Sequence, residues 1–121
     1  NSLHPLMTPM LAKRVFKLSR RESAEAFRSA SPITHISADA PPFFVLHGRN
    51  DSLIPVEQAR SFTARLREVS HQPVVYAELP FAQHAFDIFG SARAAHAAVA
   101  VEQFLAEIYQ RTAVALSAHA R

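Results

Sequence analysis

The sequence predicts an α/β fold with a mostly parallel sheet, of which this chain holds the last part. Three observations predict it. An unbroken apolar run, Phe43 to Leu46, reads as a strand buried on both faces, the pattern of parallel sheets. A helix-length segment separates it from a second strand-like run, Val74 to Leu79, which is the spacing of a right-handed crossover. No third strand is legible, and a pair of parallel strands cannot bury both faces of either. Its free edge would leave backbone groups unpaired beside an apolar surface, so further strands are expected on another stretch of polypeptide.

Each element follows from local chemistry. Leu11, Val15 and Leu18 fall at helical spacing. Ser19 and Glu22 form a capping box that starts a second short helix, running to about Ser29 and stopped by Pro32. "SPITHISADAPP" is a loop with several stops. After the first strand, Pro55 suits the first turn of a helix that shows Ala59, Phe62, Leu66 and Val69 on one face and ends near Ser70. "PFAQHAFDIFG" is a loop in which Phe86 and Phe89 read as core and Asp87 as an aid to starting the last helix. Ser91 caps that helix. Val101, Phe104, Leu105 and Ile108 give it an apolar stripe, and it frays after Arg111.

Composition narrows the function classes. The chain has 121 residues and is 49% hydrophobic, enough for a packed core. It begins at Asn1-Ser2 without a signal-like run, which reads as a fragment or a processed chain. No apolar stretch approaches the ~20 residues of a membrane helix, so a soluble chain without a transmembrane segment is expected. Cysteine is absent, which excludes disulfides and thiolate metal sites. It leaves the compartment open, with the cytoplasm favoured. The net charge of +3 draws partly on Lys13, Arg14, Lys17, Arg20 and Arg21. No aromatic residues interleave with them, so they read as a solvated helix face and no nucleic-acid partner is expected. His84 and Asp87 are too few to hold zinc, and neither a metal nor a cofactor is expected.

The chemistry gathers where ligands gather in open α/β sheets, beyond the carboxyl ends of the strands. Asp51 follows the first strand and His84 the second. Neighbouring strands lie about 5 Å apart, so the two side chains can meet. A carboxylate on one imidazole nitrogen fixes the tautomer and stabilises the imidazolium formed at the other. Taken singly, Asp51 is also good turn chemistry within Gly48-Arg49-Asn50-Asp51, and His84 could be an ordinary loop histidine. His47 at the strand end reads as packing. Met7, Met10, Leu11, Val15 and Phe16 read either as core or as a cap that lines a substrate pocket.

"PPFFVLHGRNDSLIPVEQARSF" followed by "LPFAQHAFD" resembles the C-terminal part of the α/β-hydrolase fold, most closely its esterases and lipases. The resemblance covers about Ser31 to Tyr109. It implies that Asp51 is the acid and His84 the base of a Ser-Asp-His triad, with Phe86 and Met10 bordering the substrate pocket. It divides the chain into cap-side or linking helices over 1–31, hydrolase β-α-β-α over 32–110 and a tail over 111–121. The family often carries glycine on the approach to its histidine, where Phe81 stands here. The nucleophile elbow G-x-S-x-G cannot be written, since the only glycines are Gly48 and Gly90. The implied partner is therefore the N-terminal half of the same hydrolase, bringing the serine and the oxyanion hole, and the implied substrate is a small ester. By itself the chain is expected to be inactive. The alternative is a non-catalytic binding module with a hydrolase-like fold.

Overall fold

The structure is a computed structural model that describes residues 9–10, 13–14 and 23–119. Residues 9–10 are α-helical and 13–14 π-helical. Most of the first predicted helix and the Ser19–Glu22 capping box lie outside the described residues. The chain divides into two compact units, with the boundary between His84 and Ala85.

The first unit contains α1 (Ser23–Ser29), a 3₁₀ turn (Pro32–His35), β1 (Phe43–Gly48), α2 (Val56–Val69) and β2 (Val74–Leu79). In α1, Glu25 in the first turn forms an ion pair with Arg28 in the last, both signs favourable to the helix dipole. The 3₁₀ turn gives part of the predicted loop regular structure, with proline at its start.

β1 and β2 pair in parallel from Phe43↔Val74 to Gly48↔Leu79, as expected of a crossover through α2. The ladder opens with the Phe43 N–H donating to Pro73 O at 2.9 Å and continues past the strands with the Arg49 N–H donating to Leu79 O at 2.9 Å. The residues from Phe43 to His47 are half-buried in this chain. The sheet has two strands among the described residues. Continuous apolarity at half-burial is the mark of a strand whose remaining cover comes from elsewhere.

α2 buries Val56, Ala59, Thr63 and Leu66. The sequence reading puts Phe62 and Val69 on that face instead of Thr63. At 3.6 residues per turn, position 63 falls on the line through 59 and 66, and Thr63 is buried there. Phe62 stands at the edge, half-buried, with its ring edge-on to Phe43 at 5.7 Å and 77°. Pro55 occupies the N-cap rather than the first turn, and its carbonyl accepts the Gln58 N–H at 3.0 Å.

The second unit is dominated by α3 (Ala92–His119). Ser91 caps it: the Ala94 N–H donates to Ser91 Oγ at 3.1 Å and the Ala95 N–H to Ser91 O at 2.9 Å. Asp87 is exposed and precedes the cap, so it does not start the helix. Phe89 is likewise exposed rather than core. Of the predicted stripe, Phe104 and Ile108 are half-buried, while Val101 and Leu105 are exposed. The helix does not fray after Arg111. Residues 112–119 contain neither glycine nor proline and are rich in alanine, so helix propagation continues. Among the described residues no helix is long and apolar enough to cross a membrane.

Candidate active site

The site is built where β1 ends. Gly48 closes the strand because nothing larger fits: a Cβ there would stand 2.5 Å from Ala82 O. The chain then turns, with the Asp51 N–H donating to Gly48 O at 3.2 Å. The turn carries Asp51 inward until its side chain is 5% exposed.

The carboxylate is braced on both oxygens. Oδ1 accepts the N–H of Leu53 at 2.9 Å and of Ile54 at 2.8 Å, an Asx-type closure of the turn. Oδ2 lies 2.9 Å from His84 Nδ1. Burial pushes the Asp51 carboxyl up, but the Ile54 amide, the His84 ring and the Leu53 amide together outweigh it and hold it below its ordinary value. An ionised carboxylate only accepts, so His84 Nδ1 donates to it, and in the neutral ring Nε2 is left with a lone pair. The His84 side chain is 43% exposed, so the ring is open to solvent.

His47 adds a further brace. Its Nε2–H donates to Ile54 O at 3.0 Å, and the same nitrogen lies 3.7 Å from Asp51 Oδ2. Ile54 thus donates to the acid and accepts from His47. The sequence reading of His47 as packing missed this bond, because nothing in the pattern shows which carbonyl faces the ring.

Across the strand ends the loops are sewn together. The Asn50 N–H donates to Ala82 O at 3.0 Å, and Asn50 Oδ1 accepts the Phe81 N–H at 3.0 Å. Asn50 was absent from the sequence-predicted site, where it reads only as a turn residue. Of the other predicted residues, Met10 is exposed, and Phe86 is half-buried and falls in the second unit. A cleft of about 360 Å³ bordered by Pro32, Ile33, Gln58 and Phe62 includes neither Asp51 nor His84. Among the described residues no cluster of three His, Asp or Glu side chains is arranged to hold a metal.

This geometry can be set beside known proteins. The BD-FAE family profile matches residues 8–66. The chain is 67% identical over 109 residues to a probable carboxylic ester hydrolase, LipM, of Mycobacterium tuberculosis, covering 90% of this chain and 25% of that protein. It is 43% identical over 110 residues to esterase LipQ of the same organism, covering 91% of this chain and 26% of LipQ. Among solved structures it resembles a thermophilic esterase, Est2, from the planctomycete Thermogutta terrifontis. There the TM-score is 0.62 at 25% identity, over 81% of this chain and 39% of that one. The chain thus spans about a quarter of the length of the curated relatives it matches. The parallel β-α-β crossover and the likeness to Est2 make the chain part of an α/β-hydrolase fold, and the relatives it matches are esterases.

Proposed function

We propose that this segment supplies the acid, Asp51, and the base, His84, of a Ser-His-Asp triad in a longer serine ester hydrolase. The serine and the oxyanion hole come from polypeptide outside it. The observation that carries the reading is the 2.9 Å bond from His84 Nδ1 to a carboxylate that is buried and held by backbone amides. Residues 32–110 contribute the acid and histidine loops of the hydrolase domain, and 1–31 lead in from its cap side.

Asp51 holds the ring so that Nε2 faces the nucleophile. As the serine Oγ attacks the ester carbonyl, Nε2 takes the hydroxyl proton, and Asp51 stabilises the imidazolium that forms. The imidazolium then gives its proton to the leaving alcohol. A water, deprotonated by the same Nε2, releases the acyl group as the acid. With no G-x-S-x-G in its sequence to carry the nucleophile, the 121-residue chain alone is expected to hydrolyse nothing.

Labelling by a serine-directed phosphonate tests this reading. In the full-length hydrolase that carries this segment, His84→Ala is expected to abolish labelling. Persistent labelling would mean that another group activates the serine. Measurable ester turnover by the purified 121-residue chain would refute its predicted inactivity.

A further inference from the structure

The turn that delivers His84 contains a backbone conformation that its sequence does not favour. Phe81 has φ 59°, in the left-handed region, where a bulky L-residue is rare and glycine is at ease. The residue is 83% exposed, so burial does not account for the conformation. The backbone on either side is, however, tied down. Asn50 Oδ1 accepts the Phe81 N–H, and the Asn50 N–H donates to Ala82 O. Ala82 itself is fully buried, and its carbonyl approaches β1 only because Gly48 has no Cβ. Asn50 and Asp51 therefore act as adjacent halves of one device. The first grips the turn before the histidine, and the second grips the histidine ring.

We propose that Asn50 is a positioning residue for this triad: its side-chain oxygen holds Phe81 in the left-handed turn that presents His84 to Asp51. The proposal rests on the triad reading above. Among the described residues the Asn50 bonds go to the backbone of Phe81 and Ala82, so its effect is on the alignment of the base rather than on substrate binding. A ring displaced by about 1 Å can cost on the order of 100-fold in rate.

The test uses the full-length hydrolase carrying this segment, with active sites counted by exhaustive phosphonate labelling. Asn50→Ala is expected to lower kcat per labelled site about 10- to 100-fold, with KM close to that of the unaltered enzyme. Asn50→Asp keeps an acceptor for the Phe81 N–H and is expected to retain most of the rate. Adding Phe81→Gly to Asn50→Ala is expected to restore much of the loss, because glycine adopts this φ without help, so the two changes combine non-additively. Asp51→Ala is measured beside them. If Asp51→Ala abolishes turnover while Asn50→Ala leaves kcat per site unchanged, the Asn50 assignment alone is overturned. Additivity of Asn50→Ala and Phe81→Gly overturns it too, as does a loss that shows only as fewer labelled sites. An unchanged rate in Asp51→Ala overturns the triad reading, and the Asn50 assignment with it.

Discussion

Two carboxylates stand at the carboxyl end of this sheet, Asp51 just beyond β1 and Glu78 near the end of β2, and they are equipped for different work. Glu78, 13% exposed, is enclosed by groups that do not give up protons near neutrality. Oε1 accepts from Arg49 Nε at 2.6 Å and from an Arg60 terminal nitrogen at 2.8 Å. Oε2 accepts from Arg60 Nε at 2.8 Å and from the Tyr76 hydroxyl at 3.0 Å. The Arg60 bonds, then that of Arg49, hold the Glu78 carboxyl down at about 2. Burial, and then the bond to Glu78, push the Tyr76 hydroxyl up. Such a cluster is a clamp, tying the β1 loop and α2 to β2 with permanent charge. Asp51 is as well bonded, but one of its partners is an imidazole whose second nitrogen is open. A buried carboxylate becomes a candidate for catalysis through the titratable group it holds, not through its burial.

The widest gap between the clusters should appear in turnover by the full-length hydrolase. Asp51→Asn preserves shape but offers His84 the wrong partner, and a triad loses about 10⁴ in kcat when its acid is so altered. Glu78→Gln should leave kcat per active site close to the unaltered value, because the clamp holds no movable proton. Comparable losses in both variants would erase the distinction.

Next in size comes the close approach that joins the β1 loop to the histidine turn. A methyl added in Gly48→Ala would meet backbone, Ala82 O at 2.5 Å and Ala82 C at 2.9 Å, so one loop must move. Overpacking of this kind costs about 1–3 kcal/mol in stability. Because the displaced carbonyl belongs to the turn before His84, kcat should fall along with the urea midpoint. A fall in stability with undiminished kcat would show that the histidine turn tolerates the shift.

Much of this arrangement is legible in the sequence, for physical reasons that also mark where legibility ends. The apolar runs at 43–46 and 74–79 and the prolines beside them define strands, and parallel neighbours bring the ends of those strands together. The Asp51–His84 contact follows from that topology and needs no knowledge of side-chain detail. The Glu78 clamp has no such signature: Arg49, Arg60, Tyr76 and Glu78 each read as ordinary surface or strand residues until the crossover angle is known. Asn50 reads as turn chemistry whether or not its amide grips another loop. For Phe81 the hint is indirect, a bulky residue where the α/β-hydrolase resemblance leads one to expect glycine. The helix runs past Arg111, where terminal position suggests fraying, because alanine and leucine sustain a helix without a packing partner close in sequence.

The clusters should also part in acid. Glu78 folded lies at about 2 against an ordinary 4.5. A carboxylate lowered on folding contributes stability that is fully present above its ordinary value and is lost as pH falls through the folded one. Stability to urea should therefore decline between about pH 4.5 and 2, and Glu78→Gln should flatten that decline. Asp51 is also lowered from 3.8, with the same sign, so the Gln variant should retain a residual slope beneath that value. An identical slope with and without Glu78 would mean that its ion pairs persist in the unfolded chain.

The smallest effect tests whether full bonding is what sets both carboxylates apart. Thr63, one turn beyond Arg60 on α2, is buried, yet its Oγ1 has no hydrogen-bond partner among the described residues. A hydroxyl removed from water without compensation costs about 1–3 kcal/mol. Valine has the same branched shape, so it fills the site without that cost. Thr63→Val should leave kcat untouched and raise stability by about 1 kcal/mol, read from urea unfolding. If the variant is instead less stable, the hydroxyl is bonded in the full-length protein, and full bonding extends to the buried polar group of α2 as well.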